Sequence, residues 1–569
     1  MEPPAVEPPA VPTNPFTQRP RGDSPIADVS AVDPAPAGRS ADVELHSFTD
    51  HGPWVLRRED CTWLRGIAVL RATTARQVPR LTATRLTPPP GRLAVVAGTL
   101  GLALGGWAAT DRRRGGTTSR SGLSRRLRVA AERLGPTYIK LGQIISSGEG
   151  LFPRELVDEF LACRDQVPAE SFEQVRRVVE EDLGRPLEEV FEHFDRTPIA
   201  AASIAQVHSA RLLPAAGERH GPEVVVKVQR PTIGTQVRSD LKVMSWLAPF
   251  LVGRIPIAAL ANPPALVELF AQTITEELDF RLEAENMLDV ARSCAELGQR
   301  GVVVPRPHPE LVTRRVLVME RLDGYSFDDL ESMQAAGVDT HEVLRRGMAA
   351  FTEGCMVHGI FHGDLHGGNL FIGADGRIAL LDFGITARMT DLERTAFMRL
   401  MLTAAMGDIH GQITAFRDLG ALPPDTDIDD VISELGLDQQ PFDPTKLTQD
   451  QLVAELQRII KALLAMGARL PKILMLYVKN LVFLDAAIAN LAPDLDLITE
   501  FANLSTHLAV THGDRFAAEI GVSAEQFQVD PDAIRAGFGI VDEPGTTVTY
   551  RELQRRRELI RRRLERRAD

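Results

Sequence analysis

The stretch Phe361–Gly384, FHGDLHGGNLFIGADGRIALLDFG, constrains this chain more than any other. His362-Gly363-Asp364 is followed by Asn369, and the apolar pair Leu380-Leu381 leads into Asp382-Phe383-Gly384. An Asp-Gly pair between two apolar runs is a strong hairpin signal. The spacing therefore predicts a strand at Leu370–Ile372, a turn at Ala374-Asp375-Gly376 and a returning strand at Ile378–Leu381, which carries Asp382 back beside Asp364 and Asn369. Transfer of a phosphoryl group from Mg-ATP needs carboxylate and amide oxygens around the metal and a carboxylate beside the acceptor. It needs them on short loops held apart by strands. An acidic turn with a chance Asp-Phe-Gly would not carry all three elements at this spacing.

At 569 residues the chain can bury one large core or two to three smaller ones. Apolar content of 44% and charged content of 25% are ordinary for a globular protein. A formal net charge of −13 argues against a nucleic-acid partner for the chain as a whole. Cys61, Cys163, Cys294 and Cys355 lie far apart with no CxxC pair, which suits small core residues in a reducing, cytoplasmic setting better than a metal site. The amino terminus lacks the basic-then-apolar start of a signal peptide.

Residues 1–43 are rich in Pro and Ala and are predicted to be disordered, because they bury too little apolar surface to offset chain entropy. Residues 44–122 form a basic and apolar helical region broken at Pro88-Pro89-Pro90. Within it Leu93–Ala109 runs seventeen residues without a charge, flanked by Arg92 and by Asp111-Arg112-Arg113-Arg114. That length is near the lower limit for a membrane span, and Gly101 and Gly105 stand at a helix-packing spacing. The segment reads either as a helix packed on the soluble body or as a membrane insertion.

Residues 123–198 read as a helical extension, with helices predicted from Phe152-Pro153 and over Glu170–Leu183. Residues 199–323 fit the small lobe of a kinase. They hold strands at Val207–Leu213 and Val224–Gln229, helices over Leu241–Phe250 and Leu266–Val290, strands at Val302–Val304 and Val316–Met319, and a connector at Glu320–Gly324. Residues 324–515 form the large lobe and a nearly all-helical carboxy-terminal part, interrupted by an acidic, Pro-containing insert at 422–444. In the tail at 516–569, Tyr550–Asp569 carries nine Arg against three Glu. It reads as a solvated basic helix or as an anchor for anionic lipid.

Lys227 closes the β-branched run Val224-Val225-Val226, where its ammonium can neutralise the α- and β-phosphates of a nucleotide. Such a lysine needs a helix glutamate to hold it, and Glu283 is the first choice with Glu277 the second. A GxGxxG loop should precede it, but this chain has Ala200-Ala201-Ala202-Ser203-Ile204-Ala205-Gln206-Val207 instead. Small side chains still permit backbone to approach phosphate closely, without the φ > 0 freedom of glycine. Glu320 and Leu322 on the connector complete the expected nucleotide-binding set.

On these residues the chain resembles the UbiB/ADCK family of atypical, protein-kinase-like proteins. The likeness rests on Lys140, Gly142 and Gln143 (the KxGQ motif), the Ala-rich loop, Lys227 through Pro231, Glu277 and Asp279 (the ExD motif), Glu283 with Asn286, and Asp364, Asn369 and Asp382. It implies an α+β, bilobal, protein-kinase-like fold with a helical amino-terminal extension and an all-helical carboxy-terminal part. It also implies ATP and Mg2+ as cofactors, with Asn369 and Asp382 as metal ligands and Asp364 as the catalytic-loop aspartate. In the family the KxGQ extension folds over the cleft toward the ExD residues, so members are similar to ATPases or small-molecule kinases. They support isoprenoid quinone synthesis, often at a membrane, with lipid-like ligands and protein partners of a biosynthetic complex.

Gly363 and Gly368 depart from the Ala and Pro that the family usually has. The HGD form of the loop also resembles small-molecule kinases of the aminoglycoside and choline type, which lack KxGQ. The expected function is a Mg-dependent ATPase at the membrane. A small-molecule phosphotransferase and a nucleotide-gated scaffold with little turnover are the alternatives.

Overall fold

The computed structural model describes residues 47–50, 52–83, 87–146, 152–161, 168–251, 263–437, 462–463, 466–469, 471–521, 549–552 and 554–555. The tail at 1–43, residues 438–444 of the acidic insert and most of the basic carboxy-terminal segment lie outside them.

The small lobe is built on one antiparallel sheet of β1 (Phe191–Phe194), β2 (Ala200–Ala201), β3 (Ala205–Leu212), β4 (Glu223–Gln229), β6 (Pro307–Val312) and β7 (Val316–Glu320). Its order is β1-β3-β4-β7-β6, with β2 also paired to β3. Period-2 alternation decides what each face of β4 does. Val224, Val226 and Val228 are buried against Val178 and Val179, which belong to helix α6 (Phe172–Leu183), and Lys227 is left for the opposite face. A Ser171–Gln174 capping box starts α6, and Gly184 ends it at φ 70°.

The structure corrects two expectations. Phe191–Phe194 falls inside the helical extension expected over residues 123–198, yet it pairs with β3, so the small-lobe sheet begins before residue 199. The predicted helix over Leu266–Val290 is two helices, α8 (Pro263–Glu277) and α9 (Phe280–Glu296), because the Asp279 side chain caps the second by accepting the Arg281 N–H at 3.2 Å.

The large lobe contains the predicted hairpin. Strands β10 (Leu370–Ile372) and β11 (Ile378–Leu380) pair with Leu370 opposite Leu380 and Ile372 opposite Ile378, and Gly376 takes φ 74° at the turn. Strands β5 (Val302–Val303) and β8 (Tyr325–Ser326) flank the hairpin. Strand β9 (Ile360–His362) pairs with β12 (Thr386–Arg388) and so fixes both ends of the opening motif. Helices α10 (Leu330–Ala335) and α11 (Thr340–Glu353) precede the motif. Helices α12 (Asp391–Met406), α13 (Ile409–Asp418), α14 (Ile428–Leu435), α15 (Lys472–Leu491) and α16 (Leu497–Ile520) follow it, with α14 lying in the acidic insert. Tyr477 of α15 stacks on Phe351 at 5.6 Å and meets Phe397 edge-on at 4.8 Å, which seats α15 in the large-lobe core.

The amino-terminal part supplies α1 (Ile67–Leu81), α2 (Pro90–Thr110), α3 (Gly116–Leu134), α4 (Pro136–Ser146) and α5 (Arg154–Leu161). Between β4 and α8 runs α7 (Ile233–Leu251). Helix α2 contains the uncharged segment 93–109 and is held near its two ends. Arg92 donates to both carboxylate oxygens of fully buried Asp240 on α7 (2.5 and 3.1 Å) and to the Leu134 carbonyl (2.6 Å), and the Trp107 indole N–H donates to the Ser119 carbonyl (3.0 Å). Between these anchors Val96 and Ala103 are buried, whereas Val95 and Leu102 are 52% and 74% exposed.

Removing Arg92 would strand a buried carboxylate. The Arg92→Leu substitution is expected to lower stability by about 3–5 kcal/mol, read as a lower urea midpoint. Arg92→Leu combined with Asp240→Leu should recover most of that loss.

Candidate active site

Between the lobes lies a cleft of about 430 Å³, lined by residues from both lobes and from the amino-terminal extension. On the small-lobe side Lys227 reaches it from the free face of β4. Its Nζ lies 2.7 Å from Glu283 Oε1 on α9 and 3.1 Å from Asp382 Oδ2. The structure thus brings the expected lysine, helix glutamate and Asp-Phe-Gly aspartate into one ion cluster. Burial pushes the Glu283 carboxyl up to about 7 against the pull of Lys227. Burial also works against charge on Lys227, but the carboxylates of Asp382 and Glu283 outweigh it and hold the ammonium above its ordinary range. Asn286, one turn along α9 from Glu283, donates to the Phe383 carbonyl at 2.8 Å and fixes the backbone after Asp382.

The catalytic loop is held by its own residues and by α15. His362 Nδ1 accepts the Asp364 N–H at 3.1 Å, and its Nε2 meets the Asp382 carbonyl oxygen. The Asn369 amide donates to the Asp364 carbonyl at 3.0 Å. Gly363 has a steric reason: a Cβ there would lie 2.8 Å from Ile385 Cγ2 and 3.1 Å from Leu476 Cδ1. The alanine usual at this position would not fit without a shift.

The KxGQ helix α4 closes the cleft. Lys140 Nζ stands 3.0 Å from Glu277 Oε1 and 3.9 Å from Asp364 Oδ2, and Gln143 and Ser146 line the same space. Gly142 is required by packing: a Cβ would meet the Phe160 ring at 2.4 Å, so α4 and α5 touch only because position 142 is bare. Asp279 does not join Glu277 at Lys140. It caps α9 and pairs with Arg281 at 2.7 Å, a correction to the expected ExD pair.

Of the Ala-rich loop, Ala202, Ser203, Ile204 and Ala205 line the cleft. Ala200 and Ala201 form β2, opposite Val207 and Gln206. No non-glycine residue among those described has positive φ, so this loop turns without the freedom that glycine supplies elsewhere. Gln206 and Val207 depart from their expected place. The buried Gln206 carbonyl accepts the Glu170 N–H (2.8 Å), its amide meets His208 (2.8 Å), and Val207 pairs with Lys227 across the sheet. Glu320 also departs: its side chain is engaged by Thr49 and Arg306 (3.4 Å), and neither it nor Leu322 lines the cleft.

Sequence reasoning missed Lys479 and Asn480. Lys479 of α15 donates to Asp364 Oδ1, opposite the oxygen that Lys140 approaches. Asn480 accepts the Leu365 N–H at 3.3 Å and donates to the His362 carbonyl, so it clamps the loop on both sides of Asp364. The available signal was a Lys-Asn pair inside the apolar run Ile473–Leu484. Burial opposes charge on Asp364, yet Lys479 and Lys140 hold its carboxyl well below the usual carboxylate range. Arg230, three residues after Lys227, has a role that its position in the chain does not suggest. It donates to the Ala202 carbonyl (3.2 Å) and pairs with Glu170 (2.9 Å), pinning the loop tip.

The residues fit a magnesium ion bound with a nucleotide. Asn369 has its amide nitrogen committed to Asp364, which leaves its oxygen for a cation, and Asp382 lines the same cleft. Among the described residues no group of three or more His, Cys, Asp or Glu could hold a metal alone. That suits an ion that takes one or two carboxylates and completes its shell with phosphates and water.

The family model for the ABC1 atypical kinase-like domain matches residues 162–415. An uncharacterised protein of Mycobacterium tuberculosis is 34% identical over 395 residues, covering 67% of this chain and 78% of that protein. An uncharacterised chloroplastic aarF domain-containing protein kinase of Arabidopsis thaliana is 33% identical over 401 residues, covering 66% and 73%. This chain belongs to the ABC1 atypical kinase-like family. It is a kinase-like, ATP-binding protein, and the expected fold class is borne out. The solved structure of a Mycobacterium tuberculosis protein with erythromycin is similar at 23% identity and TM-score 0.35, covering 62% of this chain and 91% of that one.

In this ABC1-family chain, Gly142→Ala should force α4 from Phe160 and loosen the roof. The expected outcome is a ~3–10-fold change in Mg-ADP affinity, read by titration calorimetry, with about 1–3 kcal/mol lost in unfolding. Wild-type values for both would remove the packing argument.

Proposed function

We propose that this chain is a slow, Mg-dependent ATPase that supports isoprenoid quinone or other lipid metabolism at a membrane surface. The observation that carries the reading is Asp364, ionised and held between Lys479 and Lys140 beneath the α4 roof. A protein hydroxyl would need an open approach to that carboxylate, whereas water needs none.

In the proposed reaction Lys227, held by Glu283, neutralises the inner phosphates of ATP. Magnesium, held through Asn369 and Asp382, would supply charge neutralisation at the phosphates. Asp364 orients the attacking water and takes its proton. The new P–O bond forms as the bond from the γ-phosphorus to the bridging oxygen breaks, giving ADP and phosphate. Among the described residues Lys479 pairs only with Asp364, whereas Lys140 and Lys227 each have a buried glutamate of their own. It is therefore the cation best placed to follow charge onto the departing phosphoryl group, and its release frees Asp364 to act as base.

The membrane part of the reading rests on α2, whose apolar window is only 11% buried and is followed by Arg112-Arg113-Arg114. Helix α15 is also long and apolar enough to cross a membrane, but it carries Lys479 into the cleft. Length and composition alone therefore do not distinguish a span from a core helix.

Phosphate release from ATP should be abolished by Asp364→Asn while Mg-ADP affinity stays within about twofold. Hydrolysis unchanged in that variant would sink the catalytic assignment. Phosphate appearing on an added hydroxyl compound would make the chain a phosphotransferase, and ATP bound but never cleaved would make it a scaffold. Lys479→Met should lower turnover by roughly 10²-fold. Because Lys479 depresses the Asp364 pKa, its loss raises that pKa, so the acid limb of the pH–rate profile should move to higher pH. An unmoved limb would separate Lys479 from Asp364. Sedimentation with anionic liposomes should carry down the wild type and much less of Leu102→Asp; equal pelleting would exclude α2 as the contact.

A further inference from the structure

Beneath the catalytic loop the large lobe holds a second cavity of about 110 Å³, bounded mostly by apolar side chains. Helices α9, α11 and α15 and the β10–β11 hairpin each contribute to its lining. Leu365 and Phe483 line both this cavity and the nucleotide cleft, so the two spaces share a wall. Protein cores normally contain few voids larger than a water molecule. An apolar cavity of ~150 Å³ stays dry and accepts a benzene-sized guest. Gly347, Ala350 and Ala487 are among the small residues of its lining.

One polar group in the lining has no match. Ser293 of α9 is 3% exposed, and its Oγ has no hydrogen-bond partner among the described residues. A buried hydroxyl left unpaired is unfavourable, and a ligand oxygen would remove that cost. The adjacent Cys294 is not a competing explanation: burial pushes its thiol up to about 12, so it stays a neutral, unreactive part of the lining.

We propose that this cavity is a binding site for a small, mostly apolar molecule of roughly four to six non-hydrogen atoms, carrying one hydroxyl or carbonyl that pairs with Ser293. Occupancy would bear on catalysis through a short path. Leu365 directly follows Asp364, and Asn480, which accepts the Leu365 N–H, lines the same cavity. The effect on turnover rests on the ATPase reading; the binding itself does not.

The test uses the purified full chain with cyclopentanol and cyclopentane as probes, titrated by saturation-transfer NMR, with Mg-ADP binding followed in the same samples. Both probes should bind saturably to the wild type. Ser293→Ala should weaken cyclopentanol by about fivefold and leave cyclopentane unchanged. Ala350→Leu, or Ala487→Leu where the first folds poorly, should abolish both probes while Mg-ADP binds as before. Absence of saturable binding to the wild type, or undiminished binding to both filled variants with nucleotide affinity intact, would overturn the proposal. A chain that binds the probes but no nucleotide would defeat the ATP reading and leave the cavity standing.

Discussion

Burying ionised groups in a cleft is unfavourable unless each finds an opposite charge, and this constraint organises the centre of the molecule. Lys227, Lys140 and Lys479 come from a small-lobe strand, the amino-terminal extension and a carboxy-terminal helix. Their partners Glu283, Glu277, Asp382 and Asp364 come from α9, α8 and the two loops of the opening motif. No single element holds both members of any of these pairs. The arrangement therefore requires three parts of the chain, distant in sequence, to be packed correctly at once. Taking away one partner leaves a charge in a medium that solvates it poorly.

The carboxylate at the centre of this cluster is reached by lysines from two sides. Roof and floor are thus both ionic contacts to the group that would do the chemistry. A nucleotide bringing several negative charges competes directly for these lysines. Entry of the ligand and rearrangement of the ion pairs are for that reason one event in electrostatic terms, with screening by salt reduced because the groups are partly withdrawn from water.

Much of this architecture is legible in the amino-acid sequence. The hairpin is readable because Asp375-Gly376 dictates a turn, and Lys227 because a β-branched run fixes which face it takes. Glu283 is readable because a small-lobe lysine needs a helix carboxylate. Three of the site expectations that fail have a common cause. Gln206, Asp279 and Glu320 are polar residues inside or beside recognisable motifs, and motif membership says nothing about whether a side chain faces the ligand or ties the scaffold. Lys479 fails in the opposite direction: it belongs to no motif, and only the docking of α15 against the loop gives it meaning. Strand β1 is lost because four residues following a helix carry too little periodicity to be told from the helical stretch before them.

The anchoring of α2 has a mechanical consequence. The Arg92 guanidinium grips the Leu134 carbonyl, and Gly135 alone separates that residue from the helix bearing Lys140. A second grip on Asp240 ties the same point to α7. Any displacement of α2 must either break these bonds or carry the start of α4 with it. An outward-facing apolar helix and the lid of an internal cleft thus behave as the two arms of a lever, with one arginine as its fulcrum.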